Sequence, residues 1–302
     1  MSKPVAANDL LWSYVAEVRP ALEEALARHL PSTPAIYGGR FNEALHYALV
    51  PGGKRLRPVL TLLGAELVGG RPADVLAAAS AVEYVHTSSL IFDDLPCMDD
   101  AAERRGQSAL HRRYGEGLSV LVALALLNTS YGLVFHAQEA QPGRAIRAHQ
   151  ELVACIGTSG MVTGQTVDLS SAVGEAVNHL APDHHDAVRN LKTSALMRLS
   201  LLLGAILSGA NDMQLTALAR FAELVGEAYQ ISDDMLDLAE DAALAAHARP
   251  ATFALEHGAS GAQLRVTSMI ADAKSALDQA FGRTPPAQLL CAFADYIAAR
   301  EA

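Results

Sequence analysis

Apolar side chains recur at i, i+3 and i+4 along almost the whole chain, from Leu10 to Ala299, with Ala and Leu dominating the runs. That period is the signature of helices packed on one another. Sustained period-two alternation is missing, as are Asn-Gly or Asp-Gly turns between β-branched runs, so no β-sheet is expected. The pattern predicts helices over 10–30, 41–50, 56–68, 73–92, 118–136, 145–169, 184–207, 212–238, 262–281 and 286–299. Proline and glycine mark the breaks at 31–34, 51–53, 69–72, 141–143 and 181–183. No linker is long or polar enough to divide the chain. The expectation is an all-α fold, one domain over 1–302, with about ten helices and several central ones apolar all round.

Composition agrees with a large buried core, because 51% of the 302 residues are hydrophobic and 19% are charged. Acidic residues outnumber basic ones, 33 to 23, for a net charge of −10. A nucleic-acid binder needs a basic face, so that class is excluded. Cys97, Cys155 and Cys291 are odd in number and widely spaced, which fits neither a disulfide framework nor a zinc site. A reducing compartment, the cytoplasm, is expected, and the N-terminus lacks the apolar stretch of a signal peptide. Leu118–Phe135 carries no charged side chain and approaches the length of a membrane span. Ser119, Asn128, Thr129, Ser130 and Gly132 interrupt it, and no comparable second segment is expected, so a helix buried in the bundle is the better reading.

The sharpest local feature is Asp93-Asp94 followed by Asp99-Asp100 at the end of an apolar helix, with Glu103, Arg104, Arg105 and Gly106 close behind. Carboxylates at that density repel one another unless cations neutralise them. Pro96 breaks the helix there, which lets Asp99 turn back towards Asp93. A second cluster, Gln230, Asp233, Asp234 and Asp237, lies 140 residues later on another apolar helix. Asp233 and Asp237 are i, i+4 and share a face. Hard oxygen donors of this kind suit Mg²⁺ completed by substrate phosphates, and two facing clusters would clamp a diphosphate. Either cluster alone reads equally well as a solvated acidic helix end; the pair, beside Arg104 and Arg105, favours the metal–diphosphate site.

In an acidic chain, compact basic segments are informative. Gly52, Gly53, Lys54, Arg55 and Arg57 open a helix, where backbone N–H groups add to three cations and make an anion site. Lys192 and Thr193 interrupt an apolar helix and are a second candidate, although a snorkelling lysine is equally common. His86 sits about two turns before Asp93 and shares its face. Gln165 and Asp168 are polar positions on a Leu/Val-rich helix, either supporting the site or bonding within the core.

These residues, from Phe41 to Leu238, resemble the trans-isoprenyl diphosphate synthases, also called polyprenyl synthetases. The resemblance implies an isoprenoid synthase-like helical bundle around a central cavity, a homodimer, Mg²⁺ as cofactor, and elongation of an allylic diphosphate by isopentenyl diphosphate. It implies that Lys54, Arg57, His86 and Arg105 anchor isopentenyl diphosphate. Asp93, Asp94 and Asp99 match the first set of magnesium ligands, and Asp233, Asp234 and Asp237 the second. Arg104, Lys192, Thr193 and Gln230 resemble contacts to the allylic diphosphate. The growing tail then runs down the helix before Asp93, where Ser88 and Ser89 are small; with the inserted Pro96-Cys97 they resemble the geranylgeranyl type, while Phe92 stands where it could obstruct the tunnel.

Two departures accompany the likeness. Ala123-Leu124 stands where the family usually has Gly-Asp, which either is silent or removes a polar partner. The stretch after Asp237 has no lysine between Lys192 and Lys274, only His247 and Arg249, where the family carries a lysine-bearing loop over the allylic diphosphate. Arg does not replace Lys neutrally, and losing one cation from a leaving-group site costs about 2–4 kcal/mol of transition-state stabilisation. The leading expectation is a prenyltransferase making geranylgeranyl or farnesyl diphosphate. The alternatives are a weakly active or inactive regulatory subunit of a heteromeric synthase, and a terpene cyclase-like enzyme on the same scaffold, which the set Lys54, Arg57, His86 and Arg105 disfavours.

Overall fold

A helix that is apolar on every side needs apolar neighbours on every side, and the segment Leu76–Asp93 has them. Ala78, Val82 and Val85 join the larger of two core clusters, while Tyr84 and Ile91 join the smaller. The computed structural model describes residues 7–49, 52–136, 142–172, 191–236 and 253–299. Their elements, in chain order, are α1 (Ala7–His29), α2 (Ala35–Leu49), α3 (Leu56–Leu67), a 3-10 turn (Pro72–Val75) and α4 (Leu76–Asp93). A small hairpin follows, β1 (Glu103–Arg104) and β2 (Gln107–Ser108), then α5 (Leu110–Tyr114), α6 (Glu116–His136), α7 (Pro142–Ile156) and α8 (Met161–Ala172). The chain continues with α9 (Leu191–Ser208), α10 (Asp212–Leu236), α11 (Phe253–Phe281) and α12 (Pro285–Ala298).

Most expected helices are present, but the one expected over 145–169 is two helices, α7 and α8, separated by a turn between Gly157 and Gly160. The one expected over 73–92 opens as the 3-10 turn, and two others have shifted boundaries. Helix α2 starts before Phe41 because a short turn joins it across a kink at Gly38, and α11 starts before Ala262 across a kink at Gly258. The 184–190 part of one expected helix lies outside the described residues. The hairpin corrects the expectation of no strands. Its ladder is two residues long, Glu103 opposite Ser108 and Arg104 opposite Gln107, too short to leave an alternating pattern. Its turn places Arg105 at φ +55° and Gly106 at φ +74°, and only the glycine signals such a turn in sequence.

Helices α3 and α9 cross in backbone contact. A Cβ on Gly204 would lie 1.8 Å from the Thr61 carbonyl oxygen, and one on Gly64 would lie 2.2 Å from that of Leu201. Around this crossing α9 buries Leu196, Leu199, Leu202, Leu203 and Ile206, each worth about 1.5–3 kcal/mol by removal from water.

The expectation that 118–135 alone resembles a membrane span is corrected. The segments Pro72–Asp93, Glu116–Phe135 and Leu191–Ser208 are all long and apolar enough. The first and third are mostly buried, α4 on α6, α3 and α1, and α9 on α3, α10 and α7. Helix α6 differs, since only 33% of its apolar window is buried: Val120, Leu121 and Leu124 remain exposed.

Candidate active site

The carboxylates at the end of α4 are placed by the break at Pro96. Asp94 closes the helix with its N–H on the Leu90 carbonyl (3.1 Å), and the chain then folds back so that the Asp99 N–H donates to the Asp93 carbonyl (2.9 Å). The return of Asp99 towards Asp93 expected from Pro96 is therefore present. Asp93 and Asp94 are buried, and Asp99 is exposed. Asp94 accepts from Arg104 Nε at 2.9 Å and also from Arg104 Nη2. Asp93 pairs with Lys192 Nζ at 2.6 Å. Burial pushes the Asp93 carboxyl up, Lys192 pulls it back down, and the neighbouring Asp99 adds to the rise. Asp100, at φ +46°, accepts from Arg112 Nη2 (2.8 Å), with the buried His111 ring 3.7 Å away, which ties the motif to α5.

Lys192 also donates to Gln165 Oε1 (2.6 Å), and Gln165 in turn meets the Met98 sulfur at 3.8 Å. Next to Lys192, the Thr193 hydroxyl donates to Gln230 Oε1 (3.4 Å), whose Nε2 donates to Asp234 Oδ1 (3.1 Å). Two consecutive residues at the start of α9 thus reach the first aspartate cluster on one side and the second on the other. Asp233 and Asp234 are half-buried on the last turns of α10. Asp237, His247 and Arg249 lie outside the described residues.

Among the described residues, no three His, Cys, Asp or Glu side chains stand together as a metal cage. The donor set nonetheless fits Mg²⁺, which takes one or two carboxylates and completes its octahedron with water and phosphate oxygens. Asp93 and Asp94 are buried carboxylates whose charge is met here by Lys192 and Arg104.

The basic residues gather in a cavity of about 290 Å³ that holds Lys54, Arg57, His86 and Arg105. His86 Nε2 faces Arg57 Nη1 at 3.3 Å and Arg105 Nη2 at 3.5 Å. Burial and then the guanidinium groups of Arg57, Arg105, Arg104 and Arg55 hold the His86 pKa well below the ordinary histidine value. The ring is therefore neutral at pH 7 and accepts from the two arginines. Among the described residues the enclosed Arg57 Nε has no partner, the state expected of a donor that an anion would satisfy.

One expectation is corrected here. All three cations that open α3 line the cavity, but Arg55 is held by carboxylates and Lys54 and Arg57 are not. Arg55 turns inward, with 1% of its side chain exposed, and pairs with Glu83 (2.6 Å) and Glu23 (3.0 Å). The cavity also contains residues that the sequence did not single out. Tyr296 and Phe293 come from α12, Met197 from α9 and Tyr229 from α10. The Tyr296 hydroxyl accepts from Lys54, whose ammonium sits 5.0 Å from the Tyr296 ring centre and 5.9 Å from that of Trp12. The Ala123-Leu124 departure falls on α6: Ala123 is buried with its carbonyl accepting from Ser88, and Leu124 lies on the exposed face with Leu121.

A helical bundle that brings a cation-lined cavity beside aspartate-bearing ends of two apolar helices is an isoprenoid synthase fold. Residues 39–247 match the model of the polyprenyl synthetase family. The chain is similar to the heterodimeric geranylgeranyl pyrophosphate synthase large subunit 1, chloroplastic, of Arabidopsis thaliana, at 40% identity over 75% of this chain and 61% of that protein. It is also similar to the chloroplastic geranylgeranyl pyrophosphate synthase of Catharanthus roseus, at 39% identity over 73% of this chain and 59% of the relative. The chain thus spans under two thirds of the length of these curated relatives. The crystal structure of an FPP/GFPP synthase from Zymomonas mobilis superposes with a TM-score of 0.83 at 29% identity, covering 95% of this chain and 98% of that one. The chain belongs to the polyprenyl synthetase, or trans-isoprenyl diphosphate synthase, family.

Proposed function

We propose that this chain is a prenyltransferase that joins isopentenyl diphosphate to an allylic diphosphate and releases geranylgeranyl or farnesyl diphosphate. The observation that carries the reading is the placement of Lys192 and Thr193 between the two aspartate clusters, beside the cavity of Lys54, Arg57, His86 and Arg105. In this reading Asp93, Asp94, Asp99, Asp233, Asp234 and Asp237 would hold Mg²⁺, which would supply positive charge to a diphosphate leaving group. Arg104, Lys192, Thr193 and Gln230 bind the allylic diphosphate, and the two cations take up charge as its C–O bond breaks. Lys54, Arg57, Arg105 and neutral His86 orient isopentenyl diphosphate so that its double bond attacks the allylic carbon. A C–C bond forms, and the proton lost from the adjacent carbon passes to the released diphosphate. In this reading the small side chains of Ser88 and Ser89 suit a twenty-carbon product, in line with the names of the plant relatives.

The same reading takes residues 1–302 as one domain, supported by a core cluster that includes both Leu11 and Ile297. It takes the exposed Val120, Leu121 and Leu124 as the homodimer face. Three free cysteines support a reducing, cytoplasmic setting. A second reading, the subunit of a heteromeric synthase, is favoured by the heterodimeric name of one relative and by the lysine-free stretch after Lys192.

Incubation of the purified chain alone with Mg²⁺, isopentenyl diphosphate and labelled allylic diphosphates of five, ten and fifteen carbons tests this. A longer prenyl diphosphate supports the proposal; no turnover supports the subunit reading; a hydrocarbon overturns both.

A further inference from the structure

We infer that Arg55 is a positioning residue for the basic cavity: by neutralising Glu83, it keeps that buried carboxylate from capturing Arg57 and leaves Arg57 free for an anion. The inference rests on the reading of this cavity as the isopentenyl diphosphate site.

Glu83 creates the problem. It is 2% exposed, lies three residues before His86 on α4, and lines the same cavity as Arg57. Its charge acts favourably on the Arg57 guanidinium. A buried carboxylate without a partner is costly and takes the nearest cation. Among the described residues its ion pair is with Arg55 instead, Nη1 to Oε1 at 2.6 Å.

The geometry around Arg55 is built for that diversion. Its backbone stands at φ +53° and ψ +29°, a left-handed conformation that a non-glycine residue rarely adopts. The turn buries its side chain at the wall of the cavity, beside Lys54, Arg57 and Glu83, with 1% of it exposed. Its guanidinium is then engaged on all three nitrogens: besides Nη1 on Glu83, Nε and Nη2 bond Glu23 Oε1 and Oε2 at 3.0 and 3.2 Å, and Nη2 also donates to the Leu49 carbonyl at 2.8 Å. Gly52 is needed beside it, since a Cβ there would lie 2.2 Å from Arg55 Nη2. Arg19 Nη2 donates to the Gly53 carbonyl at 3.1 Å and fastens the same turn to α1. Arg57, by contrast, keeps an enclosed Nε without a partner among the described residues.

The test is isopentenyl diphosphate binding, read from the fluorescence of Trp12, the single tryptophan, which sits against Lys54. Steady-state KM for each substrate is measured alongside. Arg55→Met frees Glu83, so we expect isopentenyl diphosphate Kd and KM to rise at least tenfold, with kcat and the allylic KM changed less than threefold. Adding Glu83→Gln to Arg55→Met removes the competing charge and is expected to recover most of that loss. Should Arg55→Met not fold, the neutral Arg55→Gln serves, with a threefold or larger rise reversed by Glu83→Gln. Equal loss for both substrates, unchanged isopentenyl diphosphate binding, or a double variant no better than the single one would overturn the inference. Wild-type protein that does not bind isopentenyl diphosphate at all would instead refute the assignment of the cavity.

Discussion

Lys192 Nζ lies 2.6 Å from Asp93 Oδ2, so a cation on the first turn of α9 occupies the carboxylate that closes α4. The same ammonium bonds Gln165, and its neighbour Thr193 leads to Gln230 and Asp234. In the proposed site Lys192 therefore has two duties, balancing Asp93 when no diphosphate is present and stabilising the leaving group when one is.

Lys192→Gln separates these duties. Loss of one electrostatic donor to the departing diphosphate is expected to lower kcat by about a hundredfold. Mn²⁺ affinity without diphosphate is expected to increase, because Asp93 loses its competing cation. Steady-state kinetics and a Mn²⁺ titration followed by electron paramagnetic resonance check the two halves, and weaker Mn²⁺ binding contradicts the first duty.

His86 gives a pH dependence with a defined sign. Its folded pKa is held well below 6.5, by burial first and by Arg57, Arg105, Arg104 and Arg55 after it. As pH falls below about 6.5 the unfolded chain takes up a proton that the folded chain refuses, so stability drops until the folded pKa is reached. The loss from this residue grows as the pH falls through the weakly acidic range. Denaturant titrations between pH 7.5 and 5.5 should show a shallower decline for His86→Gln than for wild type.

The contact between α3 and α9 sets a steric limit. Alanine favours a helix over glycine by about 1 kcal/mol, yet a Cβ at Gly204 meets the Thr61 carbonyl at 1.8 Å. Overpacking costs about 1–3 kcal/mol or more and here falls on backbone that cannot rotate away. Gly204→Ala is expected to lower Tm by several degrees in a calorimetric scan. Gly117→Ala, where a Cβ meets nothing within 4 Å, is expected to hold or raise it.

Leu121, 54% exposed on the outer face of α6 beside Val120 and Leu124, tests the assembly. If this face is the proposed homodimer interface, a charge placed there is expected to give a monomer in light scattering where the unsubstituted protein is a dimer, without loss of helix content. A Leu121→Asp protein that stays dimeric places the interface elsewhere.

How much of this was legible depends on what kind of signal each feature leaves. Helix periodicity is local and long, so α4, α6 and α9 could be read from spacing, and Pro96 announced the return of Asp99. Lys54, Arg57, His86 and Arg105 come together as the motif implied. Pairing is not written in residue type: Arg55 looks like its neighbours in sequence but is buried against two glutamates on α1 and α4, where its left-handed backbone directs it. Tyr296 and Phe293 sit on an ordinary apolar helix more than 230 residues from Lys54, and nothing local marks them as cavity residues. The Arg105-Gly106 turn was hidden for the reason that makes it unusual, an arginine at positive φ. Gly64 and Gly204 fit the helical pattern without comment, since close approach of backbones is a property of the pair.

The central claim, that the clusters around Asp93 and Asp233 hold one diphosphate between them, is tested most directly by anomalous scattering from Mn²⁺. The crystals would be grown with a non-hydrolysable allylic diphosphate analogue. The account predicts Mn²⁺ sites about 2 Å from carboxylate oxygens of both clusters, sharing the oxygens of a single analogue that Lys192 and Arg104 also contact. Mn²⁺ at one cluster only, or an analogue bound away from both, would contradict it.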